Sequence, residues 1–435
     1  MLSRRMAGVF GRTGAVAARV VSSKAAARVA ASKARSLSTE AFTPSLFTPT
    51  EQHAQLREMV RTFAEAEVDP QAREFNEKEE FNYPLFKKLG DLGLLGITVD
   101  PKYGGSGMDA TAAVIAHEEL AAADPAFCLS YLAHAMLFTH NLSVNGNEDQ
   151  WSRLLPAACS GEALCGMAMT EPTVGTDVLA MKTSATKQSN GSYVLNGTKM
   201  WITNGAKTAK ETGDCFLVYA RTGGEGARAL SLFAVDKHTP GFSLGTKITG
   251  KCGMRASNTA ELVFEDVVVP KENLIGKDGD AVLCMMRNLE WERLTLAAMS
   301  TGLARRCLEV MNNYANERKS FGHNLSNHGQ IQRHIAESFA ELKAARCYIY
   351  DTASKLKLHS YGTRTDSDGV KLFAATVGKN IADRAIQVLG GNGYVAEYQV
   401  ERLWRDAKLL EIGGGTNEAH HKNIAKDLAR VKTIN

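Results

Sequence analysis

The spacing of apolar residues divides the chain into three stretches of different period. From about residue 48 to residue 156, apolar side chains recur three and four positions apart, as in "TEQHAQLREMV", which predicts helices with Thr50 as an N-cap. From residue 165 to about residue 270, segments such as "CFLVYAR", "ALSLFAV" and "TAELVFEDVVVP" predict strands. From residue 280 onward, long helical patterns return.

A short hairpin is predicted inside the strand region. The segment "SYVLNGTKMWITNG" contains Asn196–Gly197, the dipeptide with the strongest hairpin signal, so we expect two short strands joined there. Helices, then strands, then helices predict an α+β fold with a β-domain between two helical domains. We expect the domains to span residues 41–164, 165–278 and 279–435.

The N-terminal segment has a different composition from the rest. Residues 1–39 contain eight Lys or Arg, and no acid occurs before Glu40. A basic, acid-free segment is typical of a mitochondrial transit peptide, so we expect residues 1–40 to direct the protein to the mitochondrial matrix. A basic arm that binds nucleic acid or membrane is the alternative. Without these eight charges the formal charge of +4 becomes −4, so the remaining chain gives no indication of nucleic-acid binding.

Several classes of site find no support in the sequence. No apolar run reaches the roughly 18 residues that a membrane span needs. The eight cysteines include no C-x-x-C pair, which favours small buried apolar residues over a zinc or thioredoxin-type site. His420–His421 lacks further ligands at metal spacing, so we expect a solvated helix surface there and no metal site. No G-x-G-x-x-G follows a strand, which argues against a Rossmann nucleotide site.

Four short segments carry groups that can meet a ligand. "MAMTEPTVGTD" offers hydroxyls and backbone N–H groups, and "KMWITNG" offers a tryptophan that can stack on a planar ring. "QVLGGNGY" and "RDAKLLEIGGGTNE" contain glycines that permit positive φ and close approach of the backbone to a ligand. Each segment alone is also compatible with an ordinary loop, a core tryptophan or a helix stop.

Together with "YGGSG", "GMRASNTAELVFEDV" and "ERKSFG", these segments resemble the acyl-CoA dehydrogenase family from Phe42 to the C-terminus. The resemblance implies a helical N-terminal domain, a β-barrel-like central domain and a helical-bundle C-terminal domain that bind FAD non-covalently. Family members oxidise acyl-CoA thioesters to 2,3-enoyl-CoA. A glutamate removes the α-proton, the flavin accepts the β-hydride, and the electrons pass to electron-transfer flavoprotein. The resemblance also implies a homotetramer or, less commonly, a dimer.

By position, the resemblance also assigns cofactor contacts. Arg318 and the segment Gln387–Gly391 would reach FAD across a subunit boundary. Thr173–Val174 departs from the small pair usual in the family, and Gly329 beside Gln330 stands where a glutamine that contacts FAD is usual. The residues expected to bind FAD are Met167, Met169, Thr170, Gly175, Thr176, Trp201, Ile202, Thr203, Arg318, Gln387, Gly390, Gly391, Thr416, Asn417 and Glu418.

The catalytic base is expected at an unusual position. Most family members carry their glutamate at the position of Gly414. In the branches that act on isovaleryl-CoA and on long-chain acyl-CoA, the carboxylate comes from an earlier helix, where Glu292 matches. Gly414 would still donate its backbone N–H to the thioester oxygen. The residues expected to bind substrate are Thr176, Glu290, Arg293, Gly414 and Gly415.

Helical spacing makes Glu292 unusual independently of the resemblance. It shares a stripe with Leu289 and Leu296 on a helix that is apolar over most of its circumference, which predicts burial. Burying an unpaired carboxylate is costly and raises its pKa towards the range useful for a general base. The alternative is that Glu292 and Arg293 mark a wetter part of the helix.

We therefore expect an FAD-dependent dehydrogenase of a short branched acyl-CoA, converting isovaleryl-CoA to 3-methylcrotonyl-CoA in leucine catabolism. "LSYLAHAMLFTHNLSVNGNE" and "EIGGGTNE" are similar to the isovaleryl branch, whereas Leu132, Leu410 and "AAMSTG" differ from it. The alternatives are a dehydrogenase for another branched or long straight acyl chain, and a flavin-binding member without catalysis.

Overall fold

The computed structural model describes residues 42–223, 226–358 and 362–433. Contacts divide the chain into two units, Met1–Thr43 and Pro44–Asn435, and the fold described below belongs to the second. The predicted transit segment, residues 1–40, lies outside the described residues. Within the described ranges, no helix combines the length and the apolar character that crossing a membrane requires.

The N-terminal part is helical, and its helix starts follow the sequence signals. Thr50 caps the first helix as predicted, because its side chain accepts a hydrogen bond from the N–H of His53 at 3.3 Å. Asn147 and Gln150 form a capping box at the last helix of this part. The α-helices described here are α1 (Glu51–Phe63), α2 (Asp69–Lys78), α3 (Tyr83–Asp91), α4 (Ala110–Ala123), α5 (Pro125–His134), α6 (Asn141–Asn145) and α7 (Glu148–Cys159).

Within the described residues, the middle of the chain forms an eight-stranded sheet. Its strands are β1 (Cys165–Ala168), β2 (Ser184–Lys187), β3 (Tyr193–Thr203), β4 (Cys215–Arg221), β5 (Leu230–Asp236), β6 (Phe242–Ile248), β7 (Thr259–Val269) and β8 (Leu274–Ile275). Their order is β6-β7-β3-β2-β4-β5-β8, and β1 pairs with β4. The β1–β4 and β2–β4 pairs are parallel, and the other pairs of the sheet are antiparallel.

The hairpin predicted at Asn196–Gly197 is wrong. Residues on both sides of Asn196–Gly197 belong to one strand, β3, which pairs with β7 on both sides of a register shift next to Gly197. Gly197 has φ 147°, and a Cβ atom there would come within 2.6 Å of Thr183 Oγ1, so the glycine serves a close approach at a bulge. The turn lies earlier, at residues 188–192, where the N–H of Gln188 donates to the carbonyl of Ser192 at 2.8 Å.

The C-terminal part is helical, as the long apolar patterns predict. A two-stranded ribbon, β9 (Lys319–Ser320) and β10 (His323–Asn324), follows its first helix. The helices are α8 (Ala281–Glu317), α9 (Gly329–Lys355), α10 (Arg364–Leu389), α11 (Val400–Leu410) and α12 (Asn417–Leu428). The predicted α+β class, with a sheet between two helical parts, is therefore confirmed.

Helix α8 joins the parts of the fold. It is buried from Glu290 to Ala304, and it packs against α4 on one side and α10 on the other. Near its start, Leu289 packs on the apolar cluster that contains Met169 of the sheet region. Residues in the first half of α8 are therefore held between the sheet and the C-terminal helices.

Candidate active site

Glu292 lies in the buried part of α8, with 8% of its surface exposed. Its apolar neighbours Trp291, Leu294 and Leu296 are also buried, so the burial predicted from helical spacing is confirmed. This burial raises the pKa of the Glu292 carboxyl from 4.5 to about 6, although the positive charges of Arg293 and Lys371 act against the rise. A carboxylate whose ionised form is disfavoured by burial takes up a proton readily near neutral pH, which is typical of a general base.

The Glu292 carboxylate lies beside Gly414, on the loop between α11 and α12. A Cβ atom added at Gly414 would lie 3.6 Å from Glu292 Oε1 and 2.2 Å from Leu296 Cδ1. Gly414 also has φ 66°, a conformation that favours glycine. The two positions from which the family resemblance draws its base therefore border the same small volume.

The glycine loop is fixed at both of its ends. At the end of α11, the N–H of Gly413 donates to the carbonyl of Leu409 at 2.8 Å. At the start of α12, Thr416 accepts a hydrogen bond from the N–H of Ala419 at 3.2 Å and so caps the helix. Between these anchors, Gly415 has φ 98°. The loop therefore presents its backbone next to Glu292 in a defined conformation.

A cluster of buried charged residues lies behind this loop. Lys371 Nζ donates to the Gly415 carbonyl oxygen at 2.6 Å. Arg293 Nη1 lies 3.1 Å from Asp368 Oδ1, and Asp368 also pairs with Nδ1 of His420. The solvated surface predicted for His420 is therefore wrong, whereas His421 is exposed as predicted. The reason is long-range, because α12 packs this face against α10, which supplies the aspartate.

The predicted substrate residues differ in their surroundings. Glu290 accepts hydrogen bonds from the Thr363 hydroxyl at 2.7 Å and from the N–H of Gly362 at 3.2 Å, and so holds the segment that enters α10. Arg293 faces the cluster behind the loop, through Asp368. Thr176 is exposed on the loop that follows β1. The structure thus brings Arg293 together with the Glu292 and Gly414 site, while Glu290 contacts the start of α10.

Part of the predicted cofactor set lies where β1 and β3 end. The N–H of Met200 donates to the Thr170 carbonyl at 2.8 Å, which joins the loop after β1 to β3. Beneath this junction, buried Lys199 donates to the Met169 carbonyl at 3.0 Å and pairs with Glu171 at 2.9 Å. Burial lowers the pKa of Lys199 to about 8, although Glu171 opposes this effect. Sequence reasoning missed this ion pair, whose only signal is a lysine within a strand.

The surface of this junction is open. Trp201 is 58% exposed and has φ 64°, whereas Ile202 behind it is buried. A Cβ atom added at Gly175 would meet no atom within 4 Å. Val174 is buried and forms a two-way backbone bridge with Glu171, which closes the loop at this point, whereas Thr173 is exposed.

A second part of the predicted cofactor set lines a separate cavity. Arg318 and Gly391 lie in one cavity of about 360 Å³. Gln387 and Gly390 are exposed near it, at the end of α10, and Gln330 is exposed in the first turn of α9. The cavity is lined by Tyr314, Arg318, Ser320, Leu325, Val388, Leu389, Gly391 and Asn392.

Three family models match the chain in order. They are the N-terminal domain of acyl-CoA dehydrogenase at residues 50–162, its middle domain at residues 166–267 and its C-terminal domain at residues 282–429. The mitochondrial isovaleryl-CoA dehydrogenase of Oryza sativa subsp. japonica is 40% identical over 377 residues, covering 86% of this chain and 90% of the relative. The chain belongs to the acyl-CoA dehydrogenase family.

Other members of the family are similar to nearly the same extent. The mitochondrial 2-methylacyl-CoA dehydrogenase of Solanum tuberosum is 37% identical over 391 residues, covering 89% of this chain and 93% of that protein. The butyryl-CoA dehydrogenase of Megasphaera elsdenii superposes with a TM-score of 0.83 at 32% identity, covering 90% of this chain and 100% of that one. An acyl-CoA dehydrogenase of Bacillus anthracis complexed with FAD superposes with a TM-score of 0.81 at 32% identity, covering 88% of this chain and 67% of that one.

The residues of this acyl-CoA dehydrogenase fit its cofactor, FAD. Exposed Trp201 offers a face for a planar ring, and the open backbone at Gly175 leaves room beside it. In the separate cavity, Arg318 carries a guanidinium suited to a diphosphate, next to Gly391, where an added Cβ would meet no atom within 4 Å. Among the residues that the structure describes, no group of three or more His, Cys, Asp or Glu side chains could hold a metal ion.

Proposed function

We propose that this acyl-CoA dehydrogenase oxidises a short branched acyl-CoA, with isovaleryl-CoA as the first candidate, and that Glu292 is its base. The observation that carries the proposal is the 3.6 Å separation between Glu292 Oε1 and the Cβ position of Gly414. A buried carboxyl group with a pKa of about 6 therefore lies beside the loop position, Gly414, at which most members of the family carry their catalytic glutamate. The 40% identity to an isovaleryl-CoA dehydrogenase supports the choice of the isovaleryl group as the acyl chain.

In the proposed reaction, ionised Glu292 removes the proton from the carbon next to the thioester carbonyl. The Gly414 N–H donates to the thioester oxygen, where negative charge develops as the proton leaves. The carboxylate is shielded from water by its buried position on α8, which preserves its basicity. FAD, when bound, supplies the acceptor for the hydride that leaves the β-carbon.

The other predicted contacts form part of the same proposal. Met167, Met169, Thr170, Gly175, Thr176 and the segment Trp201–Thr203 hold the flavin from the sheet side, and Thr416, Asn417 and Glu418 close over it. Arg318, Gln387, Gly390 and Gly391 bind the diphosphate and adenine side of a cofactor in a neighbouring subunit, which requires an oligomer, a homotetramer in our proposal. Electron-transfer flavoprotein then accepts the electrons. We place the enzyme in the mitochondrial matrix because relatives such as the rice enzyme are named mitochondrial.

A second acyl chain has comparable support. The 2-methylacyl-CoA dehydrogenase relative is 37% identical over 89% of this chain, close to the values for the isovaleryl relative. A chain branched at the α-carbon, such as 2-methylbutyryl-CoA, is therefore the second candidate. It differs from isovaleryl-CoA in carrying its methyl group on the carbon from which Glu292 takes the proton.

A substrate panel tests the proposal. The purified FAD-loaded enzyme is assayed with isovaleryl-, 2-methylbutyryl-, butyryl- and palmitoyl-CoA and an electron acceptor, and the enoyl-CoA product is measured by mass spectrometry. We expect the highest kcat/KM for isovaleryl-CoA. A highest value for palmitoyl-CoA would overturn the short branched assignment, and no product from any thioester would identify a non-catalytic member of the family.

Variants at Glu292 test the base separately from the acyl chain. Glu292→Gln should retain FAD but lose about 10²–10⁴-fold in kcat, the usual contribution of a general base. Glu309→Gln, an exposed position on the same helix, serves as the matched control. Undiminished turnover by Glu292→Gln would remove Glu292 from the mechanism.

A further inference from the structure

Helix α10 carries two buried charged residues three positions apart, Asp368 and Lys371, and Lys371 contacts the glycine loop. The Lys371 side chain reaches the carbonyl oxygen of Gly415 at 2.6 Å. Burying an ammonium group costs several kcal/mol unless its surroundings compensate. Here the ammonium group donates to a backbone carbonyl of the loop that borders Glu292, so the interaction that offsets the cost of its burial lies at the proposed active site.

The loop that Lys371 contacts has unusual freedom. Residues 413–415 are all glycine, and a run of glycines has many accessible conformations. On one side, Lys371 holds the carbonyl of Gly415. On the other, the ring of His420 limits it, since a Cβ at Gly415 would lie 3.0 Å from His420 Cε1. The Lys371 hydrogen bond and the adjacent His420 ring therefore restrict the conformations open to the backbone next to Gly414.

The other charged residues of the cluster form ion pairs with one another. Asp368 pairs with Arg293 and with His420. Lys371, by contrast, has no carboxylate within 4 Å in the described part of the chain, so it forms no direct ion pair there. Lys371 and Glu292 instead interact across a longer distance, and each favours the charged form of the other.

Several groups influence the ionisation of Glu292 and must be considered together. Burial lowers the pKa of Lys371 to about 8, so this side chain remains mostly cationic at pH 7. Burial also lowers the pKa of His420, although Asp368 opposes this effect. The groups that face Glu292 or Lys371 are Arg293 on α8, Asp368 and Lys371 on α10, Glu411 after α11, His420 on α12 and Tyr219 on β4.

We propose that Lys371 is a positioning residue for this reaction. By holding the Gly415 carbonyl, it directs the neighbouring Gly414 N–H, and by facing Glu292 with its charge, it favours the ionised base. This role rests on the proposed function of Glu292 and Gly414. Lys371 itself contacts neither the substrate nor the cofactor in this proposal, since its ammonium is directed to the loop backbone.

The test compares Lys371→Met with Lys371→Arg in the full-length FAD-loaded enzyme. The acyl-CoA that the unaltered enzyme turns over best is assayed from pH 5 to pH 9, and binding of its enoyl-CoA product is measured by calorimetry. Lys371→Met should move the acidic half-point of kcat/KM from near pH 6 to a higher pH, since it removes an opposite charge that lowers the pKa of the Glu292 carboxyl. It should also lower kcat about tenfold and weaken product binding, as expected for a misdirected oxyanion donor.

Lys371→Arg restores the charge and should return the half-point towards pH 6. Lys379→Met, on the same helix, is the matched control for the loss of a lysine. If Lys371→Met does not fold, Lys371→Gln replaces it, and the same shift of the half-point is expected because the charge is absent. An unchanged half-point and unchanged product binding in Lys371→Met, or in Lys371→Gln where that variant replaces it, would overturn the proposal for Lys371. The Glu292→Gln result decides the proposed function separately.

Discussion

Replacing Glu292 with glutamine is expected to stabilise the protein while it removes the base. The carboxyl has a pKa of about 6 in the folded protein against an ordinary value of 4.5. Between these two pH values the folded state binds more protons than the unfolded state, so the stability contributed by the protonated group is lost as pH rises. Above pH 6 the buried ionised carboxylate leaves a constant penalty, which a neutral glutamine avoids.

The size of the effect follows from the pKa difference. A difference of about 1.5 corresponds to about 2 kcal/mol, at 1.36 kcal/mol for each pKa unit. Unfolding entropy of about 2.1 cal/mol/K per residue, over a folded unit of roughly 390 residues, converts this to an increase in Tm of about 2 °C. Such a gain at a site of lost function is the usual trade between stability and activity.

Thermal unfolding of FAD-loaded protein at pH 7.5 and pH 4.5 tests this prediction. Glu292→Gln should melt about 2 °C higher than the unaltered protein at pH 7.5, and the gap should close at pH 4.5 because both side chains are then mostly neutral. Glu309→Gln, exposed on the same helix, should show no comparable gap. Equal melting of Glu292→Gln and the unaltered protein at both pH values would refute the assignment of a desolvation penalty to this carboxylate.

Three further results are expected. In the unaltered enzyme, kcat/KM should rise with a half-point near pH 6, because the base acts in its ionised form; a flat acidic limb contradicts this. Gly414→Ala should lower stability by about 1–3 kcal/mol in denaturant unfolding, since φ is 66° and the new Cβ would meet Leu296 Cδ1 at 2.2 Å. Leu296→Ala lowers stability by itself because Leu296 is buried, but the double variant should lose less than the sum of the two single losses. Lys199→Met should lower the free energy of unfolding by about 3 kcal/mol, because it leaves the buried carboxylate of Glu171 without its lysine partner. It should also reduce the amount of FAD retained on purification, measured by the flavin absorbance. Full retention of FAD would show that this ion pair does not support the loop that binds the cofactor.

Features that depend on local periodicity could be predicted from the sequence. The helices, the Thr50 cap and the succession of helical, strand and helical parts follow from side chains within a few residues of each other. The burial of Glu292 belongs to the same class, because its neighbours on α8 are apolar on nearly every side.

Features that depend on distant contacts could not be predicted in this way. Asn196–Gly197 does require special backbone geometry, but the close approach of Thr183 makes it a bulge in one strand and not a turn. His420 is buried because Asp368, on another helix, pairs with it. The contact between Glu292 and the Gly414 loop likewise joins segments that are far apart in sequence, and only the family resemblance pointed to both positions.

The shared border of Glu292 and Gly414 restricts how this site can be rebuilt. Leu296 Cδ1 already stands where the first carbon of any side chain at position 414 would go. A side chain at position 414 therefore requires Leu296 to shift or to be replaced by a smaller residue, so moving the acid from the helix to the loop is easier once position 296 has been changed. Engineers who attempt that exchange should therefore find the order of substitutions decisive, with the loop-first intermediate the worse folded of the two.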